Sequence, residues 1–315
     1  MRALVTGVAG FVGSHLAEAL VARGDTVIGV DCFTEYYDPA AKHRNLAVLE
    51  AGSGFTLIEA DLRVAHVEQL LDAVDVVFHQ AAQPGVRMSW ARGFADYVGH
   101  NVLATQRLLE AALAKGTPKV VYASSSSVYG NAPRYPTTED DLPRPHSPYG
   151  VTKLAAEHLC ALYAANWSLP TVSLRYFTVF GPRQRPDMSV HRLCEAALTG
   201  EAFPRFGDGT QVRELTYVSD IVAGNLAAAA ADVEPGTVVN LSGGAEIRLD
   251  DLVSLVGEVA GVEIAVDRRP AQAGDASRNA GAVDRAVALL GWEPTVPLRA
   301  GIAAQLDWHR QRARE

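Results

Sequence analysis

The stretch Thr6-Gly7-Val8-Ala9-Gly10-Phe11-Val12-Gly13 joins a short apolar run, residues 3–6, to a segment with helical spacing, residues 12–23. Glycines at Gly7, Gly10 and Gly13 permit a tight turn, close approach of the backbone to a pyrophosphate and close packing of helix on strand. The helix N-terminus adds N–H groups that favour an anion. Working outward, β-branched runs predict strands over residues 26–31, 56–59, 74–79, 120–124 and 171–176. Helical spacing predicts helices over 67–72, 97–115 and 148–166. Such alternation predicts a parallel sheet covered on both faces.

Asp31 ends the strand that follows the glycine loop. A carboxylate there can accept hydrogen bonds from both hydroxyls of an adenosine ribose and would repel a 2′-phosphate, so NAD is expected rather than NADP. The α/β fold class is therefore a doubly wound, Rossmann-type parallel sheet. Two more strand ends fit the same cofactor. Asp61-Leu62 follows the third strand, where the carboxylate can bond an adenine amino group or simply cap a helix. Ala81-Ala82-Gln83 follows the fourth, where small residues allow backbone contact on the nicotinamide side.

Beyond residue 180 strict alternation stops. A loop rich in Pro and Arg, residues 181–187, leads to a helix over 190–199. A buried strand over 238–241 and helices over 249–259, 284–290 and 298–311 follow. The expected division is a cofactor lobe of residues 1–178, rejoined by about 214–242, and a smaller mixed α/β lobe made mainly of 179–315. A chain of 315 residues is long enough for two such lobes. Against 28 basic side chains stand 36 acidic ones, a formal net charge of −8 that excludes a broad nucleic-acid or membrane-surface binder but not a local pocket for one anion. No window approaches the roughly 20 apolar residues that cross a bilayer. Residues 3–12 are too broken by glycine for a signal peptide, so a cytoplasmic location is expected. Cys32, Cys160 and Cys194 are too scattered for a disulfide framework, and no metal site is expected among the nine histidines, with His79 and His100 read as structural.

Tyr149 and Lys153 stand at i and i+4 on the helix over 148–166, on one face. A phenol titrates near about 10, so acting as a base at neutral pH requires a neighbouring positive charge. Upstream, Ser124-Ser125-Ser126-Ser127-Val128-Tyr129-Gly130 ends the fifth strand, where a hydroxyl can bond a reacting oxygen.

These motifs, with Leu174-Arg175-Tyr176-Phe177 and Arg213-Glu214-Leu215-Thr216-Tyr217-Val218 in the same order, resemble the extended short-chain dehydrogenase/reductases over nearly the whole chain. The resemblance implies that Ser125 is the catalytic hydroxyl, Tyr149 the acid/base and Lys153 its electrostatic partner. It also implies that the loop Gly7, Gly10, Phe11, Val12 and Gly13, with Asp31, Asp61, Leu62, Ala81, Ala82, Gln83, Ser124 and Tyr176, holds NAD alongside Tyr149 and Lys153. Dehydratases of this family usually carry Asp-Glu before Val-Tyr-Gly, whereas this chain has Ser126-Ser127, which argues against elimination of water.

The second lobe resembles a clamp for a nucleotide-diphosphate sugar. Phe206 matches a residue that stacks on uracil, Arg213 one that pairs with the diphosphate and Asp275 one near the nucleotide ribose. Thr178 and the run Arg183-Gln184-Arg185-Pro186-Asp187-Met188 are similar to UDP-glucuronate 4-epimerases, as is Gln83-Pro84-Gly85-Val86-Arg87. Arg185 then suits a C6 carboxylate, with Thr178, Ser126 and Ser127 as hydroxyl donors. Arg185 is otherwise a loop salt bridge and Arg87 a loop anchor. The alternatives are a UDP-glucuronate decarboxylase, a 4-epimerase of neutral UDP-hexoses and a non-catalytic NAD-sensing regulator. The resemblance further implies a homodimer through the helices over 97–115 and 148–166, in which Leu108, Leu109, Leu159 and Leu162 serve either interface or core.

Overall fold

The computed structural model describes residues 1–272 and 274–314. In chain order the first lobe runs β1 (Arg2–Thr6), α1 (Phe11–Ala22), β2 (Thr26–Asp31), α2 (Pro39–Glu50), β3 (Phe55–Glu59), α3 (Val67–Leu70), β4 (Val76–His79), α4 (Phe94–Tyr97), α5 (Ala104–Ala114), β5 (Lys119–Ser125), α6 (Pro148–Trp167) and β6 (Thr171–Tyr176). Then follow β7 (Thr178–Phe180), α7 (Ser189–Thr199), β8 (Phe203–Phe206), β9 (Val212–Tyr217), α8 (Val218–Ala230), β10 (Thr237–Leu241), β11 (Glu246–Arg248), α9 (Leu249–Ala260), β12 (Val266–Arg269), α10 (Asp284–Leu290) and α11 (Leu298–Arg312).

Seven strands form one parallel sheet in the order β10-β6-β5-β4-β1-β2-β3. This is the doubly wound Rossmann-type sheet expected from the alternation. Side chains alternate across it. Ala3, Val5, Val76, Phe78 and Val121 feed a core under α1 and α8, while Leu4, Val77, Val120 and Tyr122 feed another under α5 and α6. Strand order reverses between β1 and β4, which opens a crevice at their carboxyl ends, the place where such sheets take ligands. A third core joins α7, α9 and α11 beneath a small sheet ordered β11-β9-β7, and β8 pairs with β12 alongside it.

Three features differ from the sequence reading. The helix expected over 97–115 is interrupted by a π-helical stretch, Val98–Leu103, which carries Asn101 inward. Helix α2 was not expected: its buried apolar positions are few, and it is set by Asp38, whose carboxylate accepts the Ala40 N–H, and by Pro39 in the first turn. The return to the large sheet begins with α8, because β9, including residues 214–217, pairs in the small sheet with β7 and β11. Among the described residues no helix is long and apolar enough to cross a membrane.

Helix α6 begins where Ser147 accepts the Gly150 N–H at 3.1 Å, with Pro148 following. Near its middle, Glu157 forms a two-pronged ion pair with Arg175 on β6, at 2.6 and 3.0 Å, and accepts the Ser124 hydroxyl from β5 at 2.6 Å. Both charged side chains are only 4% exposed. Removing one member strands the other charge in the interior, so Arg175→Met is expected to cost about 3–5 kcal/mol of stability in urea unfolding. A loss below about 1 kcal/mol, the worth of a surface pair, contradicts this role.

Candidate active site

The catalytic, cofactor-binding and substrate-binding candidates from the sequence, from Gly7 to Asp275, line one cavity of about 720 Å³ at the carboxyl ends of the large sheet. Its floor is the glycine loop. Gly7 has φ +67°, and a Cβ there would lie 2.7 Å from the Ala81 nitrogen; a Cβ on Gly13 would lie 2.2 Å from the Gly7 carbonyl oxygen. No side chain caps α1, whose N-cap is Gly10, so its first N–H groups face the cavity as anion donors. The Asp31 carboxylate accepts from Ala9 N at 3.1 Å and Phe33 N at 2.8 Å, which orients it and leaves lone pairs for ribose hydroxyls. A backbone cradle with no room for side chains, bare helix N–H groups and an oriented acceptor together fit a dinucleotide.

Further along the rim the picture is mixed. Asp61 is oriented by Arg63 through Nε and Nη2 at 2.6 to 3.1 Å and by the Arg63 N–H, and it lines the cavity. It is not a helix cap, since His66 precedes α3. The Tyr176 ring lines the cavity, but its hydroxyl is committed to Asn225 at 2.8 Å and Gln80 at 3.1 Å. Ala81 is positioned by a buried chain of hydrogen bonds. Its N–H reaches Thr6 Oγ1, that hydroxyl donates to His79 Nδ1, and His79 Nε2 donates to Thr105, whose own proton goes to the Asn101 carbonyl. The direction of each bond follows from the last one, so His79 is a neutral ring protonated on Nε2. Burial agrees, pushing its pKa down to about 3.

Asn101, which the sequence reading did not single out, holds Gln83 by both backbone groups and donates to Thr152, which in turn donates to the Tyr149 carbonyl. One amide thus links the cofactor rim to the helix bearing Tyr149. The π-helical stretch aims it inward, and no periodic pattern signals such a bulge.

Tyr149 is half-buried. Burial pushes its phenol up, while a hydrogen bond from Ser125 and the charge of Arg185 pull it back. Ser125 also accepts the Ser127 N–H at 3.1 Å, which fixes the tight turn carrying Ser126 and Ser127. Ser124 points instead to Glu157. Lys153 is buried with its ammonium 4.5 Å from the Tyr122 ring centroid, and among the described residues its Nζ has no hydrogen-bond partner. That is the environment of a charge awaiting ligand oxygens.

The loop after β7 brings Arg185 to the same wall, paired with Asp187 at 3.0 and 3.1 Å; Asp187 also accepts from Tyr36. The loop salt bridge that sequence left open for Arg185 is therefore formed, and it uses two of five guanidinium N–H donors. Thr178 accepts from Asn279 at 3.4 Å. At the far end the Arg87 guanidinium lies 4.1 Å from the Phe206 ring centroid and bonds Asp275 at 2.9 Å. One face of Phe206 is thus covered by Arg87, and Asp275 serves as that arginine's anchor. Arg213 and Arg192, the latter not anticipated, line the cavity with no carboxylate in ion-pair range among the described residues. Burial lowers both, Arg192 further through Arg87 and Arg269. Crowded cations of this kind suit a diphosphate.

A parallel sheet with a glycine cradle, and a Ser-Tyr-Lys group beside an arginine-lined annex, define a dinucleotide-dependent enzyme of nucleotide-linked substrates. The chain matches the NAD dependent epimerase/dehydratase family over residues 3–242 and belongs to it. It is 41% identical to the crystal structure of UDP-glucuronic acid 4-epimerase from Bacillus cereus in complex with UDP-glucuronic acid and NAD, covering 99% of this chain and 100% of that one, with a TM-score of 0.96. It is also 41% identical to the uncharacterized UDP-glucose epimerase YtcB of Bacillus subtilis (strain 168), over 98% of each chain. A probable UDP-glucuronate 4-epimerase of Rhizobium meliloti (strain 1021) is 33% identical over 100% of this chain and 98% of its own length.

Burial pushes the Lys153 ammonium down to about 7, whereas an unfolded lysine titrates near about 10.4. Between those values the unfolded chain binds more protons than the native one, so native stability rises with pH there; the cost of the buried charge is largest below pH 7. Lys153→Met should remove that rise. Urea unfolding without added NAD, compared at about pH 7 and about pH 9.5, is expected to show a smaller gain for the variant than for wild type. Equal gains contradict a depressed Lys153.

Proposed function

We propose that this chain is an NAD-dependent UDP-glucuronate 4-epimerase that interconverts UDP-glucuronate and UDP-galacturonate. One observation carries the choice of substrate. The Arg185 guanidinium lines the same cavity wall as Tyr149, near enough for its charge to offset part of the rise that burial imposes on the phenol. A uronic acid brings a carboxylate to that place for a charge-assisted pair, whereas a neutral hexose brings only hydroxyls, which a guanidinium binds more weakly.

When bound in the cradle, NAD supplies hydride acceptance from C4 and hydride return to C4. Gly7, Gly10, Phe11, Val12 and Gly13 would hold its pyrophosphate, Asp31 its adenosine ribose, Leu62 its adenine, and Ala81, Ala82 and Gln83 the nicotinamide side, with the Tyr176 ring packing beneath. Tyr149 takes the proton of the sugar 4-hydroxyl and gives it back. Lys153 favours the phenolate through its charge, and Ser125 bonds the reacting oxygen. Between the two proton transfers the sugar is a 4-ketone with its carboxylate on the β carbon, a species that loses CO2 when the C5–C6 bond aligns with the carbonyl π system. Arg185, with Thr178, Ser126 and Ser127, keeps that bond out of alignment. Arg213 takes the diphosphate, Phe206 the uracil, and Arg87 with Asp275 closes the uridine end.

On this reading residues 1–178 with the returning α8 and β10 form the cofactor lobe, and 179–315 otherwise form the UDP-sugar lobe. Three free thiols suit a cytoplasmic enzyme. A homodimer would pair α6 with the helical stretch over 97–115 through exposed Leu103, Val151, Leu162 and Trp167, with Leu159 at the edge, whereas Leu108 and Leu109 are fully buried in the subunit core.

NMR of purified protein with UDP-glucuronate is expected to show UDP-galacturonate accumulating without net NADH; a UDP-pentose instead overturns the proposal in favour of a decarboxylase. Tyr149→Phe should lower kcat by about 100-fold or more. Wild-type activity in that variant removes the mechanism. Loss of a charged hydrogen bond of about 1.5–3 kcal/mol predicts that Arg185→Met raises KM for UDP-glucuronate at least about tenfold. Equal turnover of UDP-glucose and UDP-glucuronate by wild type speaks for a neutral-hexose epimerase.

A further inference from the structure

Away from the cavity, α7 and α11 bring three ligand-type side chains together. His191 and Glu195 stand one turn apart on α7, and His309 on α11 packs against them, its ring centroid 4.4 Å from that of His191. The ligand atoms of all three lie within 4.8 Å of one another. His191 is 1% exposed and His309 6%, while Glu195 is half open to solvent.

The hydrogen bonds constrain what fills the space between them. His191 Nδ1 lies 2.6 Å from the Gln184 carbonyl oxygen, which has no proton to give, so Nδ1 carries the hydrogen. In the neutral ring Nε2 is then a lone pair, and it faces Glu195 Oε1, another acceptor, at 3.1 Å. Two acceptors at that separation need a cation between them, either a proton or a metal ion. His309 Nε2 decides between these. It is buried and has no partner among the described residues, an arrangement native interiors rarely tolerate without an unseen water or ion. A proton on His191 satisfies Glu195 and leaves His309 as it was. One metal ion satisfies all three.

The geometry points to a divalent transition-metal site of the zinc class, bound by His191, Glu195 and His309, that staples α11 to α7. Ligand atoms around a tetrahedral zinc stand about 3.3 Å apart, close to the His191–Glu195 separation. An imidazole whose second nitrogen donates to a backbone carbonyl is the usual arrangement of a metal-bound histidine. Glu195 supplies the open side through which an ion and a fourth, water ligand enter. The cation that works against it is Arg312, which lies over the Trp308 ring 5.4 Å from its centroid, while Arg310 is paired with Asp307. The sequence reading expected no metal site because His309 is remote from the other two along the chain. The staple also reaches the substrate wall, since His191 holds Gln184, next to Arg185, through both its backbone N–H and its ring.

Tag-free, chelator-treated protein titrated with CoCl2 and, separately, ZnCl2 tests this. One Co2+ per chain with the visible absorption of a four-coordinate N/O site is expected, displaced by Zn2+, with a Zn2+-dependent rise in Tm. Glu195→Gln, at an exposed position that leaves the fold intact, and His309→Ala should each weaken binding at least about tenfold and reduce the Tm rise. No such band and no Tm rise in wild type, or binding unchanged in both variants, overturns the proposal and leaves an imidazolium–carboxylate pair.

Discussion

The Glu157–Arg175 ion pair is the constraint on which the arrangement of the site depends. A chain that buries two charges at 4% exposure must satisfy nearly every polar atom around them, and this one does. Arg175 also donates through Nη1 to the Tyr129 hydroxyl, which donates to Asn240 on β10, and the Asn240 backbone N–H in turn donates to the carboxylate of Glu139. Three neighbouring strands and the turn after β5 are thereby tied to the middle of α6. Tyr149 and Lys153 occupy the first turns of that helix, so their distance from Ser125 is set by a pair of charges that never touches a ligand. Apolar packing of α6 alone would leave the helix free to slide by a fraction of a turn. A bidentate pair with a third partner does not.

The same logic holds on the substrate side, with amides in place of charges. Gln184 donates to the Val179 carbonyl, accepts from His191 and Gln305, and Gln305 takes the Gly181 N–H. Both glutamines are essentially inaccessible to water. The loop bearing Arg185 and Asp187 is therefore pinned from behind by α7 and α11 while its charged tip stays in the cavity. On the proposed reading, rigid backing matters for a carboxylate whose orientation decides between epimerisation and loss of CO2, because a shift of about 1 Å in a positioning group is enough to change rates by orders of magnitude.

What sequence made readable was whatever is encoded locally. The glycine loop, the acidic end of β2 and the i, i+4 Tyr149–Lys153 pair are short motifs with steric or electrostatic reasons, and the parallel sheet follows from buried β-branched runs. What it hid was encoded by contacts between distant segments. Asn101 depends on a π-helical bulge that interrupts an otherwise regular helix pattern. Asp187 and Arg192 acquire meaning only once the second lobe folds over the first. Arg63 pairs with Asp61 through a turn two residues long, a contact that the strand-end pattern does not announce. The return of the chain to the large sheet was visible in the apolar run of β10, whereas β9 was misplaced because a half-buried strand reads the same in either sheet.

Net charge, finally, says little about the field a ligand meets. The chain carries −8, yet the cavity end lined by Phe206 holds Arg87, Arg192 and Arg213, of which Arg87 alone is ion-paired, with Asp275, among the described residues. Acidic side chains are spent elsewhere, many in surface pairs worth little to stability, such as Lys115–Asp72 and Arg278–Glu246. Within the cavity Arg192, Arg213 and Lys153 are all depressed by burial, the two arginines further by neighbouring cations, so the fold holds these charges in place at a cost in desolvation. An anionic cofactor and an anionic substrate relieve that cost on entry. Positive charge placed in advance thus suits one small anion at a time, while a net charge of −8 disfavours polyanions.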